Sequence, residues 1–373
     1  MTYPLDKVGT KVSNLLHYQP YPAYPFKDTV LAHVFPKTFF DWSLQLAVPV
    51  TFALLYYTIA HSANHFQSGF DHTKGDSFKA KVLRAVVILH NAGLCLYSFF
   101  TFFMSAPVAL DLFAQGWRAA GHEGLKLALC SIPATNSLIG RWSYIFYLSK
   151  YYEVMDSIIL YLKGKKIGNL QSYHHAGALF SMWIAYRLQA QAVWVFVVFN
   201  SGVHTFMYAY YFCAALKLPF PKTLKRNLTT LQILQIASGT LLVNLYYFLK
   251  LDPVYVYGQL LGSATAQSGF SKALFGSSKS ALTASAAGQS LMQLSTYAQA
   301  RATFPASQRD SCIETTGSAV AILGNTLYMG PLLVLFANFF ISSYFKQQQQ
   351  SKANGFAKGK QQNGNGKAVN GKH

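Results

Sequence analysis

Residues 150–211 read KYYEVMDSIILYLKGKKIGNLQSYHHAGALFSMWIAYRLQAQAVWVFVVFNSGVHTFMYAYY. Three apolar runs fill this stretch, separated by a basic loop at Lys163, Lys165 and Lys166 and by a tight turn with Arg187, Gln189 and Gln191. Each run is close to the roughly 20 residues that a helix needs to cross a bilayer. Each also carries polar side chains that lipid would reject. The stretch therefore predicts membrane helices whose polar faces share one interior.

The whole chain has this character. Its 373 residues are 52% hydrophobic, 16% aromatic and only 12% charged, about half the charged share of a soluble domain. A formal net charge of +19 would suit nucleic acid, but the basic residues stand in short runs between apolar segments. That pattern excludes nucleic acid and reads as positive-inside topology. Segments long enough to span run over about 43–61, 83–104, 142–163, 172–189, 192–215, 229–249 and 318–345. The expected fold class is thus all-α and integral to the membrane, with seven transmembrane helices in a bundle. No cleavable signal peptide is visible, so the first segment is expected to direct insertion.

Orientation follows from the short loops. Lys74, Lys79, Lys81 and Arg84, then Lys163, Lys165 and Lys166, then Lys217, Lys222, Lys225 and Arg226 place one end in the cytosol with the C-terminus. The N-terminus is then lumenal, although lysines before segment one count mildly against this. The expected organisation is an N-terminal lumenal segment (1–42), a membrane core of six helices (43–258), a Ser/Ala/Gly/Gln-rich lumenal insertion (259–311), a last helix (312–345) and a cationic tail (346–373). Composition makes the insertion poorly ordered and the tail disordered, the latter able to touch anionic membrane lipid. Cys130 and Cys312 both fall on the lumenal side. A disulfide and two free thiols are both open readings there.

Four polar constellations mark the membrane segments. In KYYEVMDS, Lys150, Glu153 and Asp156 follow one another at i,i+3, so opposite charges can pair in the interior. Intramembrane ions are costly and mark function by default, with a structural ion pair as the alternative. In NSGVHTFMYAYY, residues Asn200, His204, Met207, Tyr208 and Tyr211 share one helical stripe. In LTTLQILQ, Thr229, Gln232 and Gln235 share a face, read either as substrate contacts or as interhelical glue. Finally QSYHH sets His174 and His175 at the cytosolic mouth, beside lysines that suit an anionic substrate. Imidazole at that depth binds metal, moves protons or acts as a nucleophile.

The metal reading has His61 and His65 at HxxxH spacing and the QSYHH box in its favour. It would make the protein a membrane di-iron desaturase or hydroxylase. Such enzymes need several histidine boxes, whereas here there is a single His-His pair and the other histidines, His90 among them, stand alone. No metal is expected. A transporter or receptor with seven helices would not require this set of motifs.

KYYEVMDS, QSYHH, NSGVHTFMYAYY and LTTLQILQ, in this order, make the chain resemble the ELO family of very-long-chain fatty acid elongases. GNTLYMGPLLVLFANFFISSYFK resembles the family's last helix. The resemblance implies a seven-helix barrel around an acyl tunnel in the endoplasmic reticulum membrane. It implies condensation of a long-chain acyl-CoA with malonyl-CoA to a 3-oxoacyl-CoA, carbon dioxide and CoA, without a cofactor. Ketoreductase, dehydratase and enoyl reductase would complete the cycle as partners, and a homodimer is compatible with it. His174, His175, His204 and Asn200 become the catalytic candidates, with an acyl-imidazole on one histidine. Gln171, Lys150, Glu153, Asp156, Met207, Tyr208, Tyr211, Gln232 and Gln235 become substrate contacts. Gln171 stands where most family members have histidine, as in fungal and algal elongases of polyunsaturated chains. It can orient but not react.

Overall fold

The computed structural model describes residues 21–259, 286–303, 310–313 and 315–346. Its elements are α1 (Lys37–Ser43), α2 (Ala47–Ala63), α3 (Phe78–Cys130), α4 (Leu138–Tyr152), α5 (Met155–Leu162), α6 (Asn169–Arg187), α7 (Val193–Ala215), α8 (Lys222–Leu245), α9 (Ala286–Ala302) and α10 (Thr316–Phe340). Among the described residues there is no strand, only an isolated bridge between Lys250 and Ser311. Side-chain caps start three of the helices, where Ser77, Ser137 and Thr315 accept from the backbone N–H three residues on.

α3, Thr223–Leu245 of α8 and Thr316–Phe345 are long and apolar enough to cross a bilayer, and α1 with α2, bent by 61°, adds a fourth if the pair is one span. This is an all-helical, multi-pass membrane protein. The other apolar segments are helical too, but α4 and α5 are broken apart, while α6 and α7 are diluted by polar residues. Those polar residues have somewhere to go. α3 packs on α4, α4 on α6, α6 on α10, α10 on α8, α8 on α7, and α7 returns to α3, closing a ring. α2 stands outside it against α6.

Besides the break within 142–163, two segments depart from the sequence pattern. The second span, expected over 83–104, belongs to a helical stretch of 53 residues, because small buried residues such as Ser105, Ala106 and Ala109 let it continue past the expected end. It then reverses at Ala120 and Gly121, where Gly121 adopts φ 55°. Gly116 and Gly124 meet across the reversal, and a Cβ on either would strike the other's carbonyl. The insertion also differs. Residues 286–302, expected to be poorly ordered, form α9 and pack on α3, with Leu294 and Ala298 fully buried. The expectations for 1–20, 260–285, 304–309 and the tail beyond 346 lie outside the described residues.

A core gathers at this end of the ring from Leu112, Leu127, Trp194, Tyr246, Leu251 and α9. Cys130 and Cys312 form a disulfide there, with Cα atoms 5.2 Å apart. Around it Gln191 donates to the Cys312 carbonyl and Tyr297 to that of Cys130, both at 2.9 Å. A structural disulfide typically supplies roughly 2–4 kcal/mol. Reduction, or Cys312→Ser, is expected to lower the melting temperature in detergent by several degrees; an unchanged midpoint would show that this end does not depend on the bridge.

Candidate functional site

The opposite, basic end is where the loops lock together. Asn64, just after α2, accepts from the Ile167 N–H at 2.8 Å and donates to its carbonyl at 2.9 Å. Gln67 donates to the Tyr161 carbonyl at 2.7 Å, and His72 N–H to that of Leu162 at 2.9 Å. In this loop burial opposes the charge of Asp71, but donation from Thr73 and the nearby Lys74 and Lys163 hold its carboxyl below the usual range. The clamp fixes the start of α6 and therefore the position of its histidines.

KYYEVMDS breaks its own helix. α4 ends at Tyr152 and α5 starts at Met155, so the single segment expected over 142–163 is two helices joined at Glu153 and Val154. Before the break, Lys150 and Glu153 pair at 2.6 Å with side chains only 3% exposed. Ser149 donates to Glu153 at 3.2 Å, and the Lys150 ammonium lies 3.9 Å from the centre of the Phe146 ring. After the break, Asp156 turns to other helices. Its Oδ1 accepts from His90 Nε2 of α3 at 2.8 Å, and its Oδ2 from the Tyr208 hydroxyl of α7 at 2.9 Å. His175 Nε2 lies 3.9 Å from the same Oδ2.

α6 aims its two histidines differently. One turn before His175, Gln171 donates its amide N–H to His175 Nε2 at 2.7 Å. His174 faces α10, with Nδ1 3.0 Å from the Tyr328 hydroxyl and its ring edge-on to Phe336. The two imidazoles are 5.3 Å apart. His204 of α7 is buried edge-on to Tyr208 at 5.7 Å, and Tyr208 donates to the Asp156 carboxylate that lies 3.9 Å from His175.

The structure thus gathers Gln171, His174, His175, His204, Glu153, Lys150, Asp156 and Tyr208. The rest of the predicted set is spread further along α7 and α8. Asn200 Oδ1 and Gln235 Nε2 are buried without a protein partner, so an acceptor and a donor are left over on adjacent helices. Gln232 Nε2 instead meets the Met207 sulfur at 3.1 Å. Tyr211 leaves the inner stripe: it packs edge-on to Tyr208 at 6.0 Å but is 41% exposed. Three contacts escaped the sequence pattern, namely His90, Tyr328 and Tyr56, whose hydroxyl lies 2.7 Å from Ser157 Oγ. No local spacing signals them, since each partner lies on another helix.

Among the described residues no three His, Cys, Asp or Glu side chains converge as a metal site. His61 of the HxxxH pair bonds to Ser172 Oγ at 2.9 Å. Residues 42–352 match the ELO: GNS1/SUR4 family. The chain belongs to the ELO family.

Similar proteins include fatty acid elongase sre1 of Dictyostelium discoideum, 33% identical over 175 residues, which is 46% of this chain and 62% of that one. Very long chain fatty acid elongase 3 of Mus musculus is 33% identical over 155 residues, 41% of this chain and 57% of the relative. Fatty acid elongase 2 of Trypanosoma brucei brucei is 32% identical over 165 residues, 43% and 58% of the two chains. The chain spans little more than half the length of the curated relatives it matches. No solved structure matches it.

In this ELO chain, among the described residues, each charge of the buried Lys150–Glu153 pair is the only opposite charge the other bonds, so removing one strands the other. Lys150→Met and Glu153→Gln are each expected to cost about 3–5 kcal/mol, read as lower melting temperature and yield. The exchanged pair Lys150→Glu with Glu153→Lys should recover part of the loss. Single variants as stable as wild type would show that the pair contributes nothing to the ring.

Proposed function

We propose that the protein is a fatty acid elongase that condenses a long-chain acyl-CoA with malonyl-CoA. The observation that carries this reading is the gathering of His174, His175 and His204, the last through Tyr208 and Asp156, inside a closed helical ring, below a mouth bordered by lysines. Family membership supports the substrate class, and the relatives named as fatty acid elongases support the reaction. In this reading all seven apolar segments cross the endoplasmic reticulum membrane, with the N-terminus lumenal and the basic loops in the cytosol. Lysines then attract the CoA phosphates. The acyl chain lies among the apolar inner faces.

The residues divide the work. A histidine nitrogen, on His174 by our assignment, attacks the thioester carbonyl carbon. The C–S bond breaks, and CoA leaves with the electron pair as thiolate. Malonyl-CoA then loses carbon dioxide, and the resulting enolate attacks the acyl carbon, breaking the C–N bond and releasing 3-oxoacyl-CoA with neutral histidine. Gln235, whose buried Nε2 is an uncommitted donor, is placed to bond a thioester or enolate oxygen, and Asn200, whose buried Oδ1 is an uncommitted acceptor, to take an N–H or O–H of the substrate. His204 and His175 orient and stabilise these groups. Exclusion of water by the ring protects the acyl-imidazole. The di-iron alternative finds less support, because His61, His90 and His174 each engage a protein partner on a different helix.

Microsomes carrying the protein are expected to incorporate radiolabelled malonyl-CoA into products two carbons longer when given saturated, monounsaturated or polyunsaturated acyl-CoAs. His174→Ala should lower this by at least about 100-fold. An inserted, folded wild type that extends no acyl-CoA would overturn the proposal.

A further inference from the structure

Tyr328 belongs to none of the four motifs, yet it is the side chain that holds His174. Its hydroxyl lies 3.0 Å from His174 Nδ1 and also 3.0 Å from the His174 backbone carbonyl oxygen. Its ring packs against α6 at Gly177, where a Cβ would collide with the ring carbons. Tyr173, also of α6, holds the Tyr328 backbone, donating to its carbonyl at 3.1 Å. The ring is thereby clamped between α6 and α10 and is 9% exposed.

Counting protons determines what this clamp does. A phenol carries a single O–H and a carbonyl oxygen can only accept, so the bond to the carbonyl uses the tyrosine's proton. The contact with Nδ1 can then be a hydrogen bond only if Nδ1–H donates to the phenol oxygen. In the reverse arrangement the phenol oxygen would face the carbonyl oxygen at 3.0 Å with no proton between them. A neutral His174 consequently keeps its proton on Nδ1 and its lone pair on Nε2. His175 has no such freedom, because its Nε2 already accepts from Gln171 at 2.7 Å.

We infer that Tyr328, seated on Gly177, is the positioning residue that presents Nε2 of His174 as the nitrogen that attacks the thioester. This rests on the elongase reading. In the step it supports, Nε2 forms the bond to the acyl carbon and the C–S bond breaks. The thiolate takes the electron pair, and the acyl-imidazolium keeps its Nδ1 proton against the Tyr328 oxygen. The orienting role matches that of the buried aspartate in serine proteases, which fixes the tautomer of a histidine without itself reacting.

The test is a rapid-mixing measurement on the purified full chain with a saturated long-chain acyl-CoA as probe and no malonyl-CoA, following the burst of free CoA by chromatography. Tyr328→Phe keeps the ring on Gly177 and removes only the hydroxyl. It is expected to slow the burst on the order of 10–100-fold, with KM for the acyl-CoA unchanged and the melting temperature close to wild type. Gly177→Ala, which displaces the intact tyrosine, should slow the same burst. A Tyr328→Phe burst at the wild-type rate would overturn the inference, as would a loss expressed wholly in KM. A wild type with neither burst nor elongation would instead overturn the elongase reading beneath it.

Discussion

A carboxylate among apolar helices has to be met by donors, and Asp156 is met from two sides, by His90 at 2.8 Å and Tyr208 at 2.9 Å. Placing such a charge at the centre of a bilayer costs about 2.5–3.5 kcal/mol even on insertion scales. The donors that offset this cost come from α3 and α7, so the same bonds that satisfy the charge fix the register of three helices. His175 lies 3.9 Å from that carboxylate, so the histidine box inherits its position from the solution to an electrostatic problem. The helix break at Glu153 and Val154 has the same origin. It separates the carboxylate that pairs within α4 from the one that reaches across the ring.

The ring has two unlike ends. At one, the disulfide, Trp194, Tyr246 and α9 build an apolar core around the reversal of α3. At the other, backbone and amide bonds join the loop after α2 to the loop before α6 around a small apolar cluster of Tyr56, Ala60 and Ile167. Polar groups buried between these ends must be satisfied by one another, because lipid offers neither donors nor acceptors. Most are, including the three histidines' neighbours on α3, α5 and α10. Among those of the described residues that are not, Asn200 Oδ1 and Gln235 Nε2 sit on neighbouring helices α7 and α8. A substrate with an oxygen to accept from Gln235 and an N–H or O–H to donate to Asn200 would complete them.

Much of this was legible in the chain. Apolar runs near bilayer length gave the helices, and loop lysines put Cys130 and Cys312 at one end, where the disulfide is found. Motif spacing brought Gln171 to His175, since i,i+4 neighbours share a helical face. What stayed hidden depends on contacts between helices. His90 looked like a solitary histidine in an apolar run, and its partner lies 66 residues away. Tyr328 looked like an ordinary residue of the last span, and its partner is 154 residues away. Nor could composition reveal α9, whose small residues lack a strong pattern but fit closely against α3.

The account stands or falls on where an acyl group is carried. Incubating the purified protein with a labelled long-chain acyl-CoA, without malonyl-CoA, then quenching rapidly and mapping the labelled peptide by mass spectrometry would locate it. The structure predicts an acyl adduct on the α6 peptide that contains His174. An adduct confined to a peptide with neither His174 nor His204 would contradict the assignment of chemistry to this cluster.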